Sequence, residues 1–266
     1  MQAWPVGVAG VLVLATGCST SISRSSAPPA PYVPASSPPA APPDSTPSKP
    51  AGASAVGERV FGRSAQGRPL VVMSRGPASA GRRILVVGCM HGDEAAGIGV
   101  AVAALGTPPP PGTELVVVPD ANPDGQAVHT RQNARGVDLN RNFPYRWQPL
   151  GHRGDQQYAG TGPLSEPESA AMAVLIQQLR PTASVWFHQP VDIVDLSGGS
   201  PLVERRFATA SGLAIRQLPR YPGSAVGWQN ATLPGTTAFV VELPRQVPRT
   251  RQRAVAAAIR NLESSP

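Results

Sequence analysis

Cysteine is the residue type that this sequence most clearly lacks, since only Cys18 and Cys89 occur among 266 residues. So few thiols exclude a disulfide framework as the source of stability, and no disulfide is predicted. Cys89 directly follows the apolar run at residues 84–88, a position typical of a small buried hydrophobic residue. A catalytic thiol next to His91 stays an alternative, although it would need an orienting group that the sequence does not identify.

The first apolar run, at residues 6–15, is too short to span a bilayer, which takes about 20 residues. Residues 1–18 therefore indicate a signal peptide, and residues 14–18 (LATGC) resemble a bacterial lipobox ending at Cys18. Ala15 stands where Leu is commonest, and no Lys or Arg precedes the run. We expect export and a lipid anchor on Cys18 at the extracytoplasmic face of the membrane, with an ordinary secretory signal and secretion as the alternative.

Clusters of basic residues with interleaved aromatics, typical of nucleic-acid binding, are also missing. The formal net charge is +7, but the arginines are scattered along the chain. The one local cluster contains no aromatic residue; its members are Arg245, Arg249, Arg251 and Arg253. A solvated helix face explains that cluster more simply, so we expect no nucleic-acid partner.

Proline is abundant and unevenly placed, because a disproportionate share of the 32 prolines precedes residue 51. Residues 19–56 combine Pro, Ser and Ala and cannot bury enough apolar surface to fold, so we expect a disordered linker. Residues 57–266 mix apolar runs with turn residues and are long enough for one well-buried core. The sequence therefore predicts a signal segment, a tether and a single catalytic domain.

Within that domain, short apolar runs alternate with amphipathic segments. Strands are expected at residues 69–74, 83–88, 114–118, 184–187, 213–218 and 237–241, and helices at 94–105, 166–179 and 250–262. Ser165 is the expected N-cap of the second helix. This order predicts an α/β domain with a mixed, largely parallel, twisted sheet covered by helices on both faces. Ligands in such sheets bind beyond the carboxyl ends of the strands.

Two of the four histidines, His91 and His188, follow apolar runs at those strand ends. Glu94 lies three residues after His91, so both side chains can face one point if the chain turns from strand to helix between them. Two imidazoles and one carboxylate form a typical catalytic zinc site with a position left for water. His129 and His152 lie in loop-like sequence and are expected at the surface or the rim of the substrate site.

Five motifs in one order then resemble a known family. They are His91-Gly92-Asp93-Glu94, Asn122-Pro123-Asp124-Gly125, Asp138-Leu139-Asn140-Arg141-Asn142-Phe143-Pro144, His188 and Glu242. The sequence at residues 58–262 resembles the zinc carboxypeptidase family, in particular the compact bacterial branch that includes murein peptide amidases. That branch hydrolyses the γ-D-glutamyl–diaminopimelate bond of cell-wall peptides.

The resemblance implies one Zn²⁺ per chain, bound by His91, Glu94 and His188. It also implies that Glu242 is the general base that activates a metal-bound water. Asp138 is expected to hydrogen-bond the first ligand histidine and fix its tautomer.

Substrate contacts follow from the same resemblance. Asn140 and Arg141 match the pair that binds the substrate carboxylate. Either Arg131 or Arg135 should stabilise the oxyanion, with Arg131 favoured by the Thr130-Arg131 pairing and Arg135 kept as a substrate-binding candidate. Tyr221 is the candidate for the mobile tyrosine of the family, although residues 221–224 also fit a simple turn.

The function expected from these residues is zinc-dependent hydrolysis of an amide bond in cell-wall peptides. One alternative is a metallocarboxypeptidase for ordinary peptides, whose pocket would include Trp228 and Phe239 and no acidic residue before Glu242. The other is a non-catalytic lipoprotein that binds the cell wall. Asp192 and Asp195 could either meet the ammonium of diaminopimelate or solvate a loop.

Overall fold

The computed structural model describes residues 55–262, which lie within one compact unit. The expected signal peptide with Cys18 and the expected linker up to residue 54 lie outside the described residues. Within residues 55–262, no helix combines the length and the apolar character needed to cross a membrane.

Eight strands and six α-helices make up the described part of the chain. The strands are β1 (Val56–Arg63), β2 (Pro69–Arg75), β3 (Arg82–Val87), β4 (Thr113–Val118), β5 (Ala183–His188), β6 (Ile193–Asp195), β7 (Ala214–Arg216) and β8 (Thr237–Glu242). The helices are α1 (Ala96–Ala104), α2 (Pro123–Val128), α3 (Pro167–Leu179), α4 (Pro201–Ser211), α5 (Ala225–Thr232) and α6 (Arg249–Arg260). A single turn of 3₁₀-helix, Leu139–Arg141, lies between α2 and α3.

All eight strands form one sheet in the order β1-β2-β4-β3-β5-β8-β6-β7. The central strands β4, β3, β5 and β8 are parallel, whereas β2 pairs antiparallel with β4 and β6 antiparallel with β8. The prediction of one mixed, largely parallel sheet is confirmed. Its parallel centre brings the carboxyl ends of β3, β5 and β8 to the same edge.

The central strands are buried on both faces, which explains why they appear in the sequence as continuous apolar runs. In β3, Ile84 and Val86 join a core with α1, α4 and α6, while Leu85 and Val87 join a second core with α3 and α5. The predicted placement of helices on both faces is therefore confirmed.

Several expected boundaries differ from the structure. β1 was not predicted and includes Val56, the last residue of the expected linker; it is an exposed edge strand without a strong apolar pattern. Helix α1 begins at Ala96 instead of residue 94. The N-cap of α3 is Glu166 rather than Ser165, whose hydroxyl donates to the Glu166 carboxylate at 3.0 Å. Helices α2, α4 and α5 were not expected either.

Candidate active site

The candidate site lies at the carboxyl edge of the parallel strands. His188 is the last residue of β5 and Glu242 the last residue of β8, and the two are direct neighbours in the parallel register. His91 follows the end of β3 by four residues. The sheet thus brings together residues that are separated by some 150 positions in sequence.

A tight turn after β3 positions His91 and Glu94. The Glu94 N–H donates to the His91 carbonyl at 2.9 Å, so the chain turns here before α1 begins. Gly92 packs against the start of α2, where an added Cβ would lie 2.0 Å from the Gly125 carbonyl carbon. Only glycine permits this approach of two backbones.

Three potential metal-ligand atoms converge at this point. The Nδ1 atoms of His91 and His188 are 3.1 Å apart, and Glu94 Oε2 is 3.0 Å from the first and 2.9 Å from the second. Both imidazoles are buried, and burial lowers the pKa of His188, which favours the neutral form that metals bind. Zinc bonds to such atoms are about 2.0–2.2 Å long, so three atoms at these separations can share one ion.

Asp138 orients the first histidine. Its fully buried Oδ1 lies 3.1 Å from His91 Nε2, while its Oδ2 accepts hydrogen bonds from Nε and Nη2 of Arg131 at 3.0 and 2.9 Å. Burial alone would raise the pKa of Asp138, but His91 and Arg131 outweigh that effect and lower it, so the group is ionised. With the proton on Nε2, the Nδ1 lone pair of His91 faces the ligand cluster, which fits a zinc site.

Arg131 extends from Asp138 into the cluster. Its Nη1 is 3.3 Å from Glu94 Oε1 and 3.1 Å from His91 Nδ1. Arg135, by contrast, does not line the cleft: its half-exposed side chain points to Glu166, with Nη1 and Oε2 3.8 Å apart. Arg131 thus lines the cleft and Arg135 does not, so the position of Arg135 does not favour the substrate-binding role expected for it, which stays a prediction.

Glu242 lines the same cleft as the three ligand residues. Burial, followed by the nearby Glu94 carboxylate, raises the pKa of Glu242 to about 7. Its Oε2 is buried, with no hydrogen-bond partner among the described residues. A carboxylate with a pKa near neutrality and a free oxygen is suited to accept and return a proton.

Arg141, Asn140 and Tyr221 form another wall of the cleft. Arg141 is buried, its Nη1 donates to the Asn140 carbonyl at 2.9 Å, and its guanidinium carbon lies 4.1 Å from the centre of the Tyr221 ring. The Nε of Arg141 has no partner among residues 55–262. Tyr221 also begins a turn, since Gly223 has a φ of +69° and packs against the Arg141 carbonyl, as expected for residues 221–224. The role of Tyr221 as the mobile tyrosine stays a prediction.

The other residues considered from the sequence fall into two groups. His129 and His152 are exposed and Asp192 is partly buried, and none of the three lines the cleft. Cys89 is fully buried, its thiol lies 3.1 Å from the His91 carbonyl, and burial raises its pKa, as expected for a small core residue. Asp195 is buried and lines the cleft.

Several cleft residues were not expected from the sequence, among them the polar residues Gln189, Ser197 and Arg220. Gln189 Oε1 accepts from the Ala96 N–H at 3.1 Å, and its Nε2 donates to the Pro244 carbonyl at 2.9 Å. The position of Gln189 directly after His188 was a usable signal. Ser197 and Arg220 lie in loop-like sequence, where nothing marked them.

Comparison with known proteins gives a consistent result. Residues 112–200 match the family described as zinc carboxypeptidase. Murein peptide amidase A of Escherichia coli K12 is 36% identical over 190 residues, which cover 66% of this chain and 78% of that protein.

Solved structures show the same relationship. Murein-tripeptide amidase MpaA from Escherichia coli O157 is 32% identical with a TM-score of 0.62, covering 77% of this chain and 91% of that one. Bovine thrombin-activatable fibrinolysis inhibitor is 20% identical with a TM-score of 0.66, covering 78% and 88% of the two chains. The second likeness concerns the fold alone.

Proposed function

Because this chain belongs to the zinc carboxypeptidase family, we propose that it is a zinc-dependent amidase of cell-wall peptides that cleaves the γ-D-glutamyl–diaminopimelate bond. The similarity to murein peptide amidase A supports this class of substrate. The observation on which the proposal depends is the convergence of His91, Glu94 and His188 within about 3 Å of one another. Glu242 and Arg141 line the same cleft.

In this proposal the imidazoles of His91 and His188 and the carboxylate of Glu94 hold one zinc ion. When bound, zinc would supply a water of lowered pKa and a positive charge beside the scissile carbonyl. Glu242 accepts the proton of the attacking water at its free Oε2 and returns it to the leaving amine. Asp138 keeps the His91 proton on Nε2, so that Nδ1 stays available as a ligand.

Arg131 is the residue we assign to the developing negative charge on the carbonyl oxygen. Asp138 holds its guanidinium through two hydrogen bonds, and its Nη1 extends towards the ligand cluster. A fixed cation at that place favours the transition state over the neutral ground state. Removal of such a donor typically lowers the rate by about 10²–10³-fold.

Arg141 and Asn140 are assigned to a free carboxylate of the substrate next to the scissile bond. Arginine binds a carboxylate through two parallel N–H donors, and the buried Arg141 has donors beyond the one given to Asn140. Tyr221 stacks on this guanidinium and restricts its orientation. Diaminopimelate has such a free carboxylate on the carbon whose amino group forms the scissile amide bond.

We also propose that the chain is exported and anchored through a lipid on Cys18, which places the enzyme beside its cell-wall substrate. The lipobox-like residues 14–18 support this proposal. Metabolic labelling with palmitate tests it: the full chain should take up label and fractionate with membranes, whereas Cys18→Ala should do neither. An unlabelled, freely released wild-type protein would favour the secreted alternative.

The experiment that tests the proposed activity uses purified protein and the tripeptide L-Ala-γ-D-Glu-meso-diaminopimelate. Zinc-loaded protein should release diaminopimelate, chelated protein should not, and zinc should restore release. Glu242→Gln should abolish turnover and retain zinc, whereas a merely wall-binding lipoprotein would show no turnover in any form. A blocked dipeptide with C-terminal phenylalanine, assayed in parallel, identifies an ordinary carboxypeptidase if it is the better substrate.

A further inference from the structure

One charged pair in the cleft has no role in the proposed chemistry. Arg220 and Asp195 both line the cleft that contains the three ligand residues, and Arg220 Nη1 lies 2.6 Å from Asp195 Oδ2. Arg141, on the same cleft, is assigned to the carboxylate next to the scissile bond. Besides Arg131 and Arg141, the cleft thus contains a third guanidinium, that of Arg220, which neither the oxyanion nor the binding of one carboxylate requires.

Asp195 is held firmly in its position. It is the last residue of β6 and is buried, and its Oδ1 accepts the Leu218 N–H at 2.7 Å. Its Oδ2 accepts the hydroxyl of Ser197 at 2.6 Å in addition to Arg220. With these three donors around it, the Asp195 carboxylate is already satisfied within the protein, so it is poorly suited to be the main partner of a substrate ammonium.

The loop behind this pair is fixed as well. The Ser197 N–H donates to the buried Glu204 of α4 at 3.0 Å, and the Val240 N–H of β8 donates to the Ser197 hydroxyl at 3.0 Å. Ser197 is therefore bound to a helix and to the strand that ends in Glu242. Such support preorganises the groups at the cleft surface.

Unlike the buried Asp195 carboxylate, the guanidinium of Arg220 is partly exposed to solvent. Its side chain is 43% exposed, and Asp195 is the carboxylate with which it pairs among the described residues. It lines the active-site cleft and also an adjoining cleft that contains Tyr145 and Asn230. The guanidinium is thus held by Nη1, and its remaining N–H donors face space that a substrate side chain can reach.

We propose that Arg220, positioned by Asp195, is a specificity residue that binds a second carboxylate at the far end of the substrate's side chain. The inference rests on the proposed function and deepens it. Arg141 takes the carboxylate next to the scissile bond and Arg220 the distal one, as a dicarboxylic residue such as diaminopimelate requires. Lysine has the same distal ammonium without that carboxylate and is the matched poor substrate.

The test compares kcat/KM for three tripeptides, L-Ala-γ-D-Glu-X, in which X is meso-diaminopimelate, its distal carboxamide or L-lysine. Wild-type protein should favour diaminopimelate over both others by about 10- to 100-fold, the usual range for a hydrogen bond to a charged group. Arg220→Gln should lower kcat/KM for diaminopimelate by about that factor, mainly through KM. Its activity on the lysine peptide should stay within about twofold, which also shows that the variant folds.

Arg216→Gln is the matched control, because Arg216 is an exposed arginine on β7 that does not line the cleft. It should leave all three values unchanged. Asp195→Asn should reduce the preference for diaminopimelate in the same direction as Arg220→Gln. Equal losses on all three peptides for Arg220→Gln, or a wild-type protein without preference, would overturn the inference.

Failure of the proposed function gives a different result, namely a wild-type protein that cleaves none of the three tripeptides. In that case the affinities of free diaminopimelate and free lysine, measured by calorimetry, test the role of Arg220 without turnover. Tighter binding of diaminopimelate that is lost in Arg220→Gln supports the second carboxylate site. Equal binding of the two amino acids contradicts it.

Discussion

At the scale of single residues, the site depends on charged groups that hold one another in place. Asp138 is fully buried and contacts both His91 and Arg131. One carboxylate is therefore placed to set the tautomer of an imidazole that we assign as a metal ligand and the direction of the guanidinium assigned to the oxyanion. Such outer contacts commonly affect metal affinity as strongly as they affect the rate.

Asp138→Asn should accordingly weaken zinc binding by about 10- to 100-fold, because the neutral amide no longer fixes the His91 proton or neutralises Arg131. Competition with a chromogenic chelator measures the affinity directly. Asp93→Asn is the control, since Asp93 lies between His91 and Glu94 in the sequence but is exposed. Equal zinc affinity for wild type and Asp138→Asn would refute the orienting role.

Residue types at the strand ends could be predicted from the sequence, but side-chain directions could not. His91, His188 and Glu242 each follow an apolar run, so their common location follows from parallel pairing. Arg131 and Arg135 lie four positions apart in loop sequence, and only the fold shows that one faces Glu94 and the other Glu166. The choice depends on tertiary contacts of the loop, which leave no local pattern.

At the scale of elements, the connection from β3 to α1 is the most constrained segment of the site. Gly92 lies against the first turn of α2, and an added Cβ would be 2.2 Å from the Gln126 nitrogen as well as 2.0 Å from the Gly125 carbonyl carbon. Both neighbours are backbone atoms, which cannot rotate away. The motifs at residues 91–94 and 122–125 thus pack directly against each other.

Gly92→Ala should destabilise the protein by about 1–3 kcal/mol or more, because overpacking here must shift α2 or the His91 turn. It should also weaken zinc binding, since the shift moves a ligand. Gly81→Ala is the control, as a Cβ at Gly81 would meet no atom within 4 Å. Urea unfolding of both variants checks this, and similar midpoints for the two would contradict the packing argument.

Helix α4 adds a pH-dependent contribution to stability through Glu204. Burial raises the pKa of Glu204 to about 7 from 4.5, and the nearby Asp195 raises it further, although N–H groups of Ser197 and Gly199 oppose the shift. Between pH 4.5 and about 7, Glu204 therefore keeps its proton in the folded protein but releases it in the unfolded chain. The contribution of protonated Glu204 to the free energy of unfolding is complete below pH 4.5 and is lost as the pH rises through about 7.

Glu204→Gln should remove that dependence. Relative to wild type, the variant should gain stability on the order of 3 kcal/mol between pH 4.5 and pH 8, with the gain complete above the folded pKa. Unfolding free energies at several pH values give the difference, and Glu58→Gln, at an exposed position of β1, should give none. Parallel pH profiles for Glu204→Gln and wild type would rule out a buried, protonated Glu204.

The elements that could be predicted are those with strong patterns. β3, β4, β5 and β8 are continuous apolar runs because both of their faces are covered. β1 is exposed and alternates weakly, and β6 has only three residues, so neither offered a clear period. β7 lies within the strand predicted at residues 213–218 but is shorter than predicted. The start of α3 was misplaced by one residue because a Ser that hydrogen-bonds Glu166 resembles an N-cap in sequence.

At the scale of the whole molecule, the sheet, both cores and all the proposed catalytic residues lie within residues 55–262. A protein that starts at residue 55 should therefore retain kcat/KM and melting temperature within error of the full chain. A protein that starts at residue 64 should be less stable, since it lacks β1, which pairs along β2. Loss of activity in the protein that starts at residue 55 would show that the residues before it contribute to the site.

The proposed chemistry requires that one zinc ion binds between His91, Glu94 and His188. Anomalous diffraction at the zinc absorption edge, from crystals of the zinc-loaded protein, measures this directly. We expect a single strong peak per chain, about 2.0–2.2 Å from both Nδ1 atoms and a Glu94 oxygen. A peak elsewhere, or no peak in a protein that cleaves the tripeptide, would contradict it.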